Sequence, residues 1–299
     1  MRKDAEYGRY KSAVDEHLLD FIPDIDRNSD TLYESMCYSL TAGGKRIRPV
    51  LTLAACDLLG GDTAQALPYA CAVEYIHTYS LIHDDLPAMD NDDMRRGKPT
   101  NHKVYGEAVA ILAGDSLLTC AMDAMLKDMM LYFDKPQELA RRIRAANIIV
   151  KGSGIRGMIG GQIADIEAEE RKVSPELLDY IHLNKTAALI VSALLAGAYV
   201  AGAERAQLEA LSVFGENLGL AFQIADDLLD VIGDDTKMGK KSGQDAHHHK
   251  ASYPAVHGLA RSETRLAELT AAAANALTPF GEKAGFLANM AKALASRTA

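Results

Sequence analysis

The chain has 299 residues, of which 48% are hydrophobic and 24% charged, and its formal net charge is −9. This composition is typical of a soluble globular protein with a large buried core. The negative charge argues against nonspecific binding to nucleic acid or to anionic membranes. The four cysteines have no CxxC spacing, so we expect buried thiols in a reducing compartment and neither a zinc site nor a disulfide framework.

The start of the chain is charged and is not followed by an apolar stretch, so we expect no signal peptide and a cytoplasmic protein. One segment raises the possibility of membrane insertion: the 18 positions from Thr186 to Ala203 contain no charged residue, which is the lower limit for a spanning helix. Eleven of these 18 residues are Ala, Gly, Ser or Thr. We therefore predict a buried central helix and no membrane insertion.

Apolar residues recur at spacings of three and four along almost the whole chain, as in Val73 and Ile76 or Leu208 and Leu211. This spacing is typical of amphipathic helices, and no convincing period-two alternation is present. Glycine and proline interrupt the pattern, but no linker rich in these residues divides the chain. The sequence predicts a single all-α domain over residues 1–299, a bundle of about ten helices.

Residues 152–157 match the GxGxxG pattern, which in some proteins binds a dinucleotide. That function requires a strand before the glycines and an alternating β-α-β context. The flanking segments here have helical periodicity on both sides. We favour a glycine-rich helix in close contact with a neighbouring helix.

Two clusters of aspartates lie 142 residues apart (226 minus 84) in an Ala-rich, largely uncharged background. They comprise Asp84, Asp85 and Asp90, and Asp226, Asp227 and Asp230. Hard oxygen ligands of this kind suit Mg²⁺, which usually binds through a few carboxylates together with substrate phosphates. Basic residues follow each cluster: Arg95, Arg96 and Lys98, then Lys237, Lys240 and Lys241. Such side chains bind phosphate oxygens that the metal leaves unneutralised, so the pattern predicts a diphosphate held through a metal bridge.

The spacing within each cluster supports this interpretation. Asp226 and Asp230 are four residues apart and share one helical face, where like charges need a cation to offset their repulsion. Pro87 should end or kink the first helix and bring Asp90 back toward Asp84. A single cluster would more simply be a solvated acidic helix end, but both clusters are embedded in apolar sequence.

These features, together with others in the same order, resemble the short-chain trans-isoprenyl diphosphate synthase family, most closely its bacterial farnesyl diphosphate synthases. The matching segments are residues 43–49, His77, 81–90, 95–100, 157–165, 185–186, 222–230 and 239–254. The resemblance implies the isoprenoid synthase fold, an all-α bundle around a central substrate cavity with both aspartate clusters at its mouth. It also implies a homodimer, small-molecule diphosphate substrates, and a cofactor of about three Mg²⁺ ions bridging to the substrate diphosphate.

The resemblance assigns roles to individual residues. Those that would bind isopentenyl diphosphate are Lys45, Arg48, His77 and Arg96. Those that would bind the allylic diphosphate are Arg95, Lys185, Thr186, Gln223, Lys240 and Lys250. The direct metal ligands would be Asp84, Asp90 and Asp226, while Asp85, Asp227 and Asp230 would act mostly through water. Taken alone, His77 and Lys45 would be an ordinary helix histidine and a solvated lysine.

The chemistry fits these roles. Ionising an allylic C–O bond leaves a carbocation and a departing pyrophosphate, so cations must stabilise the leaving group. The carbocation needs apolar walls that exclude water, with a few weak dipoles. The neutral oxygens of Thr186 and Gln223, beside Lys185, make these three residues the predicted catalytic group.

We therefore expect isopentenyl diphosphate to be joined to dimethylallyl and then geranyl diphosphate, giving farnesyl diphosphate. Tyr79 lies five residues before Asp84, roughly 7–8 Å along a helix, and could close the floor of the cavity, although a plain core aromatic fits the position alone. The resemblance associates an aromatic there, together with a first aspartate motif lengthened by two residues, with fifteen-carbon products. It associates a Met or Ser there with twenty carbons, so geranylgeranyl diphosphate synthesis is the alternative.

Other classes fit less well. A terpene cyclase would need neither Lys45 nor Arg48, and a catalytically inactive prenyl synthase subunit would be expected to lack an aspartate cluster. A metal phosphohydrolase could use His83 and Asp84 but needs more histidines nearby. The tract His247–His249 lies in a segment expected to be a loop. A solvated loop fits it better than metal binding, which stays open.

Overall fold

The computed structural model describes residues 2–23, 27–169, 173–232 and 252–295. These residues are almost entirely helical, which confirms the all-α prediction. The first seven helices are α1 (Arg2–His17), α2 (Asp30–Leu40), α3 (Ile47–Leu58), α4 (Thr63–Asp84), α5 (Asn101–Tyr105), α6 (Glu107–Met130) and α7 (Pro136–Ser153). The next seven are α8 (Met158–Ala168), α9 (Pro175–Ile181), α10 (Ala188–Ala201), α11 (Arg205–Ile232), α12 (Tyr253–His257), α13 (Leu259–Ala276) and α14 (Gly285–Ala295).

The helix count in the described ranges exceeds the expected ten because α5, α9 and α12 are very short, with five, seven and five residues. Three further helical segments are not α-helical. They are the 3₁₀ segments Arg27–Ser29 and Thr278–Ala284 and a π-helical turn, His182–Ala187, which joins α9 to α10.

A small hairpin between α4 and α5 was not expected from the sequence. Strands β1 (Met94–Arg95) and β2 (Lys98–Pro99) pair antiparallel around Arg96 and Gly97, whose φ angles are 52° and 75°. Two positive φ values in a two-residue loop are typical of a type I′ turn. Strands of two residues carry no period-two signal, and for that reason the hairpin was missed.

The bundle is organised around α10, which packs against α3, α4, α7 and α11. Ten of its fourteen residues are buried, so the prediction of a buried central helix is confirmed. Small residues allow its neighbours to approach closely. A Cβ added to Gly197 would lie 1.9 Å from the Thr52 carbonyl oxygen on α3. A Cβ on Gly152 would lie 2.0 Å from Ser192 Oγ, which confirms the close helix contact predicted for the GxGxxG segment.

Two helical stretches, Glu107–Met130 and Pro175–Ala201, have the length and composition of membrane spans. The apolar window of the second is 67% buried inside the protein and that of the first 44%. Helices of a large protein core often pass this test, so length and composition do not make either one a span.

Candidate active site

The first aspartate cluster begins where α4 ends. The last helical residue is Asp84, and the chain then turns through Pro87 so that the Asp90 N–H donates to the Asp84 carbonyl oxygen at 2.8 Å. The predicted return of Asp90 toward Asp84 is thereby confirmed. The Asp84 carboxylate accepts a hydrogen bond from Gln162 Nε2 on α8 at 3.0 Å, which fixes its orientation from a second helix.

The second cluster lies in the C-terminal part of α11. Asp227 and Asp230 are buried and Asp226 is half-buried. Asp227 Oδ1 accepts from Gln223 Nε2 at 2.9 Å, and Asp227 Oδ2 accepts from the Tyr253 N–H at 2.8 Å. Gln223 Oε1 in turn accepts from the Thr186 hydroxyl at 3.0 Å. Thr186 and Gln223, two of the three residues of the predicted catalytic group, are therefore hydrogen-bonded to each other, and Gln223 is also bonded to the second aspartate cluster.

Lys185 and Thr186 lie on the π-helical turn, a rare element that is frequent at functional sites. The turn packs closely on α8, because a Cβ added to Gly161 would lie 2.1 Å from the Lys185 backbone nitrogen. The Lys185 ammonium donates to Asp165 Oδ2 at 2.6 Å. Asp165 and Gln162 were part of the sequence motif, but no role was assigned to them. Their spacing of three residues on one helix was the available signal.

A group of cationic side chains surrounds His77 on α4. Burial lowers the pKa of His77 well below its usual value, and the charges of Arg48 and Arg96 lower it further, so the ring is neutral at physiological pH. Burial also lowers the pKa of Arg48 to about 10, which leaves its guanidinium charged. Arg48 Nε is buried without a hydrogen-bond partner among the described residues. The group fits an anionic ligand.

The loop before α3, which carries Lys45, is held from both sides. Arg96 donates to the Gly43 carbonyl oxygen, and a Cβ at Gly44 would lie 2.7 Å from the Arg96 guanidinium. The side chain of Arg46 is buried and pairs with Glu74 at 2.6 Å.

Two further contacts tie this loop to α1. Arg46 also pairs with Asp15 at 2.9 Å, and Tyr7 donates to the Lys45 carbonyl oxygen. No role was expected for Arg46, Asp15 or Glu74 from the sequence. Partners far apart in sequence give no local signal, which explains the omission.

Arg95, expected to bind the allylic diphosphate, is paired in this structure. Its Nε donates to both oxygens of Asp85 at 2.7 and 2.8 Å, and its terminal nitrogen lies 3.4 Å from Asp92. Asp85 is buried. Two residues of the first cluster therefore differ in their contacts: Asp84 lines a cavity, whereas Asp85 is paired with Arg95 of the hairpin.

A cavity of about 470 Å³ lies between the end of α4, α8 and the π-helical turn. Its polar lining includes Arg48, His77, Asp84, Gln162, Lys185 and Thr186, and its apolar lining includes Leu118, Met158, Ile159, Ile163 and Ile166. Tyr79 also lines the cavity. Its ring packs edge-on against His83, with centroids 5.7 Å apart, and its hydroxyl is buried without a hydrogen-bond partner in the described ranges.

The structure thus places Arg48, His77, Asp84, Lys185 and Thr186 around one cavity, with Gln223 bonded to Thr186. Lys45 is exposed on its loop, and the Arg96 side chain donates to the Gly43 carbonyl oxygen on the same loop. Lys240, Lys250 and the tract His247–His249 lie outside the described residues.

The carboxylates offer the hard oxygen donors that Mg²⁺ prefers. Among the described residues, no three His, Cys, Asp or Glu side chains converge on a preformed metal site. Mg²⁺ usually completes its shell with water and substrate phosphates, so Asp84, Asp90 and Asp226 suit an ion that arrives with a diphosphate.

An all-helical bundle with two aspartate clusters and a cationic group beside an apolar cavity defines the class of enzymes that transfer prenyl groups from diphosphates. The sequence model for "Polyprenyl synthetase" matches residues 29–280, and the chain belongs to this family of trans-prenyltransferases.

Relatives in sequence and structure agree with this assignment. A farnesyl diphosphate synthase of Geobacillus stearothermophilus is 48% identical over 86% of this chain and 85% of its own length. A geranylgeranyl diphosphate synthase of Cyanophora paradoxa is 45% identical over 86% of this chain and 84% of its own. The crystal structure of a geranyltransferase from Legionella pneumophila has a TM-score of 0.87 and 32% identity, covering 99% of this chain and 98% of the other. The isoprenoid synthase fold is thereby confirmed.

Proposed function

We propose that this prenyltransferase makes farnesyl diphosphate by joining isopentenyl diphosphate head to tail to dimethylallyl and then geranyl diphosphate. The observation that carries the proposal is the cavity of about 470 Å³, which combines charged groups suited to a diphosphate with apolar walls suited to a prenyl chain. Its volume lies within the usual range for small-molecule sites.

The cationic group around His77 would bind isopentenyl diphosphate. Neutral His77 can donate one hydrogen bond to a phosphate oxygen, and Arg48 and Arg96 supply charge. The buried Arg48 Nε lacks a partner among the described residues, which is a costly state unless a ligand completes it. Lys45 would reach the same diphosphate from its loop.

The allylic diphosphate would bind between the two aspartate clusters. Asp84, Asp90 and Asp226 would hold about three Mg²⁺ ions, which when bound neutralise charge on the departing pyrophosphate. Arg95 and Lys185, now paired with Asp85 and Asp165, would contribute further cations. Lys240 and Lys250 are proposed for the same diphosphate from sequence alone.

Neutral and apolar groups would surround and stabilise the carbocation. Thr186 and Gln223 offer oxygens, and the apolar side chains of the cavity exclude water that would otherwise capture the cation. No side chain is required as the base, because the released pyrophosphate can take the proton after condensation.

Chain length is the finer question. Tyr79 is 7% exposed and lines the cavity. It lies five residues before Asp84 on α4, a position that supports a fifteen-carbon product. The similarity to geranylgeranyl diphosphate synthases keeps the twenty-carbon product as the alternative. We further propose one functional domain over residues 1–299, a homodimer and a cytoplasmic location.

The direct test incubates the protein with labelled isopentenyl diphosphate, Mg²⁺ and, separately, each allylic diphosphate. Chromatography of the dephosphorylated products reports both reaction and chain length. We expect farnesol from the dimethylallyl and geranyl substrates and little product from farnesyl diphosphate. Efficient extension of farnesyl diphosphate would replace the farnesyl assignment with the geranylgeranyl one. Cyclic hydrocarbons without use of isopentenyl diphosphate would refute both.

A further inference from the structure

Three hydrogen bonds in series connect the backbone at the start of α12 to the cavity wall. The Tyr253 N–H donates to Asp227, Gln223 Nε2 donates to the other oxygen of Asp227, and the Thr186 hydroxyl donates to Gln223 Oε1. Their lengths are 2.8, 2.9 and 3.0 Å. Only Thr186, at the end of this chain of bonds, lines the cavity.

The direction of every bond is fixed by chemistry. A backbone N–H can only donate and an ionised carboxylate can only accept. Gln223 must therefore turn its NH₂ group toward Asp227, which leaves its oxygen toward Thr186. The Thr186 hydroxyl has one proton, which it donates to Gln223 Oε1. The remaining lone pairs of the Thr186 oxygen point away from Gln223.

The first donor in this series is firmly held. The Tyr253 ring stacks on His257 with centroids 4.3 Å apart and on His182 at 6.2 Å. His182 opens the π-helical turn and lies 3.6 Å from Asp227. Asp227 itself is 4% exposed. A buried carboxylate whose partners are packed this closely can impose one orientation on its neighbour.

We propose that Asp227 is a positioning residue for prenyl transfer, which acts through Gln223 to aim the lone pairs of the Thr186 hydroxyl at the cavity. An oxygen presented in this way stabilises positive charge that develops on the allylic carbon and does not donate to the diphosphate. The role differs from the water-mediated metal contact expected from the resemblance. It rests on the proposed prenyl transfer in this cavity.

Moving the amide from residue 223 to residue 227, and the carboxylate from 227 to 223, tests the directions of these hydrogen bonds. In Asp227→Asn the new NH₂ group faces a donor. The Gln223 amide must then rotate so that its oxygen accepts from the new NH₂ group at residue 227 and its own NH₂ group donates to the Thr186 oxygen. The Thr186 O–H is no longer bonded to Gln223 and can point into the cavity. We expect kcat to fall about 100-fold with little change in either KM. Gln223→Glu places two carboxylates face to face and should also reduce kcat.

The double variant Asp227→Asn/Gln223→Glu keeps the directions of the two outer bonds and reverses only the central one, with the same number of atoms and the same net charge. The asparagine oxygen accepts from the Tyr253 N–H, its NH₂ donates to Glu, and the other Glu oxygen accepts from Thr186. We expect kcat at least about tenfold above that of Asp227→Asn. A folded double variant no more active than the better single variant would overturn the proposal.

Two further measurements separate positioning from metal binding and from the reaction itself. The Mg²⁺ concentration for half-maximal rate should rise in Asp226→Asn and stay within about twofold of wild type in Asp227→Asn. An equal rise in both would make Asp227 a metal ligand and overturn the proposal. Tm, measured without substrate, should fall in each single variant and recover in the double variant. If the wild type formed no prenyl product, the proposed function would fail, and a Tm that did not recover would independently refute the hydrogen-bond series.

Discussion

Replacing Tyr79 should lengthen the product without removing a charged or metal-binding group. Tyr79 lies five residues before Asp84 on α4, roughly 7.5 Å deeper along the helix axis. Each added isoprene unit contributes four C–C bonds of about 1.5 Å, or roughly 5 Å when extended, which is comparable to the span of the phenol ring. Tyr79→Ala should therefore admit about one further unit and shift the main product from farnesyl to geranylgeranyl diphosphate.

The variant should still fold. Truncating a buried aromatic to alanine costs about 3–5 kcal/mol in a close-packed core, and the edge-on contact with His83 accounts for about 1 kcal/mol of that. One side of Tyr79 faces the cavity, so we expect a loss of about 2–3 kcal/mol in the free energy of unfolding. That is less than the stability of a typical domain, about 5–15 kcal/mol.

Tyr79→Phe is the matched control, because it keeps the ring and removes only the hydroxyl. Burial raises the pKa of Tyr79 to about 12, so the hydroxyl is protonated at working pH. It has no hydrogen-bond partner among the described residues, and its removal should be neutral or stabilising by up to about 1 kcal/mol. The Phe variant should keep the fifteen-carbon product. Chromatography of dephosphorylated products compares the two. A fifteen-carbon limit unchanged in Tyr79→Ala would show that this ring is not the floor.

Three other predictions follow from the site. Asp84→Asn and Asp226→Asn should each lower kcat by several orders of magnitude with the circular dichroism spectrum unchanged, because each removes a ligand needed as charge develops on pyrophosphate; near-normal turnover at saturating Mg²⁺ would contradict the metal bridge. Lys45→Ala and Arg48→Ala should mainly raise the KM for isopentenyl diphosphate in steady-state assays, and equal weakening of both substrates would mean that the two pockets are misassigned. Burial lowers the pKa of His182 to about 4, so between pH 6.5 and 4 the unfolded chain binds more protons at this residue than the folded protein does. The free energy of unfolding should therefore fall as pH drops from 6.5 to 4, by up to roughly 3 kcal/mol from this group. Urea unfolding without metal should show a weaker pH dependence for His182→Asn, and parallel curves would refute a buried neutral histidine.

The sequence was sufficient for the fold class and for several of the helices and turns that carry the predicted site residues. Helical periodicity predicted the bundle, and Pro87 predicted the turn that returns Asp90 to Asp84. The low charge of the segment after Lys185 correctly identified α10 as a buried helix. Each of these depends on neighbours along the chain, where propensity and periodicity are informative.

Features that depend on distant partners could not be read in the same way. The π-helical turn that carries Lys185 is in close contact with Gly161 from α8, which no local pattern encodes. The same holds for the Arg46–Glu74 pair that anchors the loop before α3, and for Asp227, whose neighbours in sequence suggested a metal site. Its hydrogen bonds to Gln223 and to the Tyr253 backbone emerged only from the three-dimensional arrangement.

We propose above all that this chain extends geranyl diphosphate by one isoprene unit through a metal-bridged diphosphate. A single-turnover reaction with geranyl diphosphate, labelled isopentenyl diphosphate and Mg²⁺, quenched over time, measures it directly. We predict one labelled fifteen-carbon product with an equal amount of pyrophosphate, and no product when the metal is chelated. Equal yields with and without chelator, or label recovered only as unreacted isopentenyl diphosphate, would contradict the account.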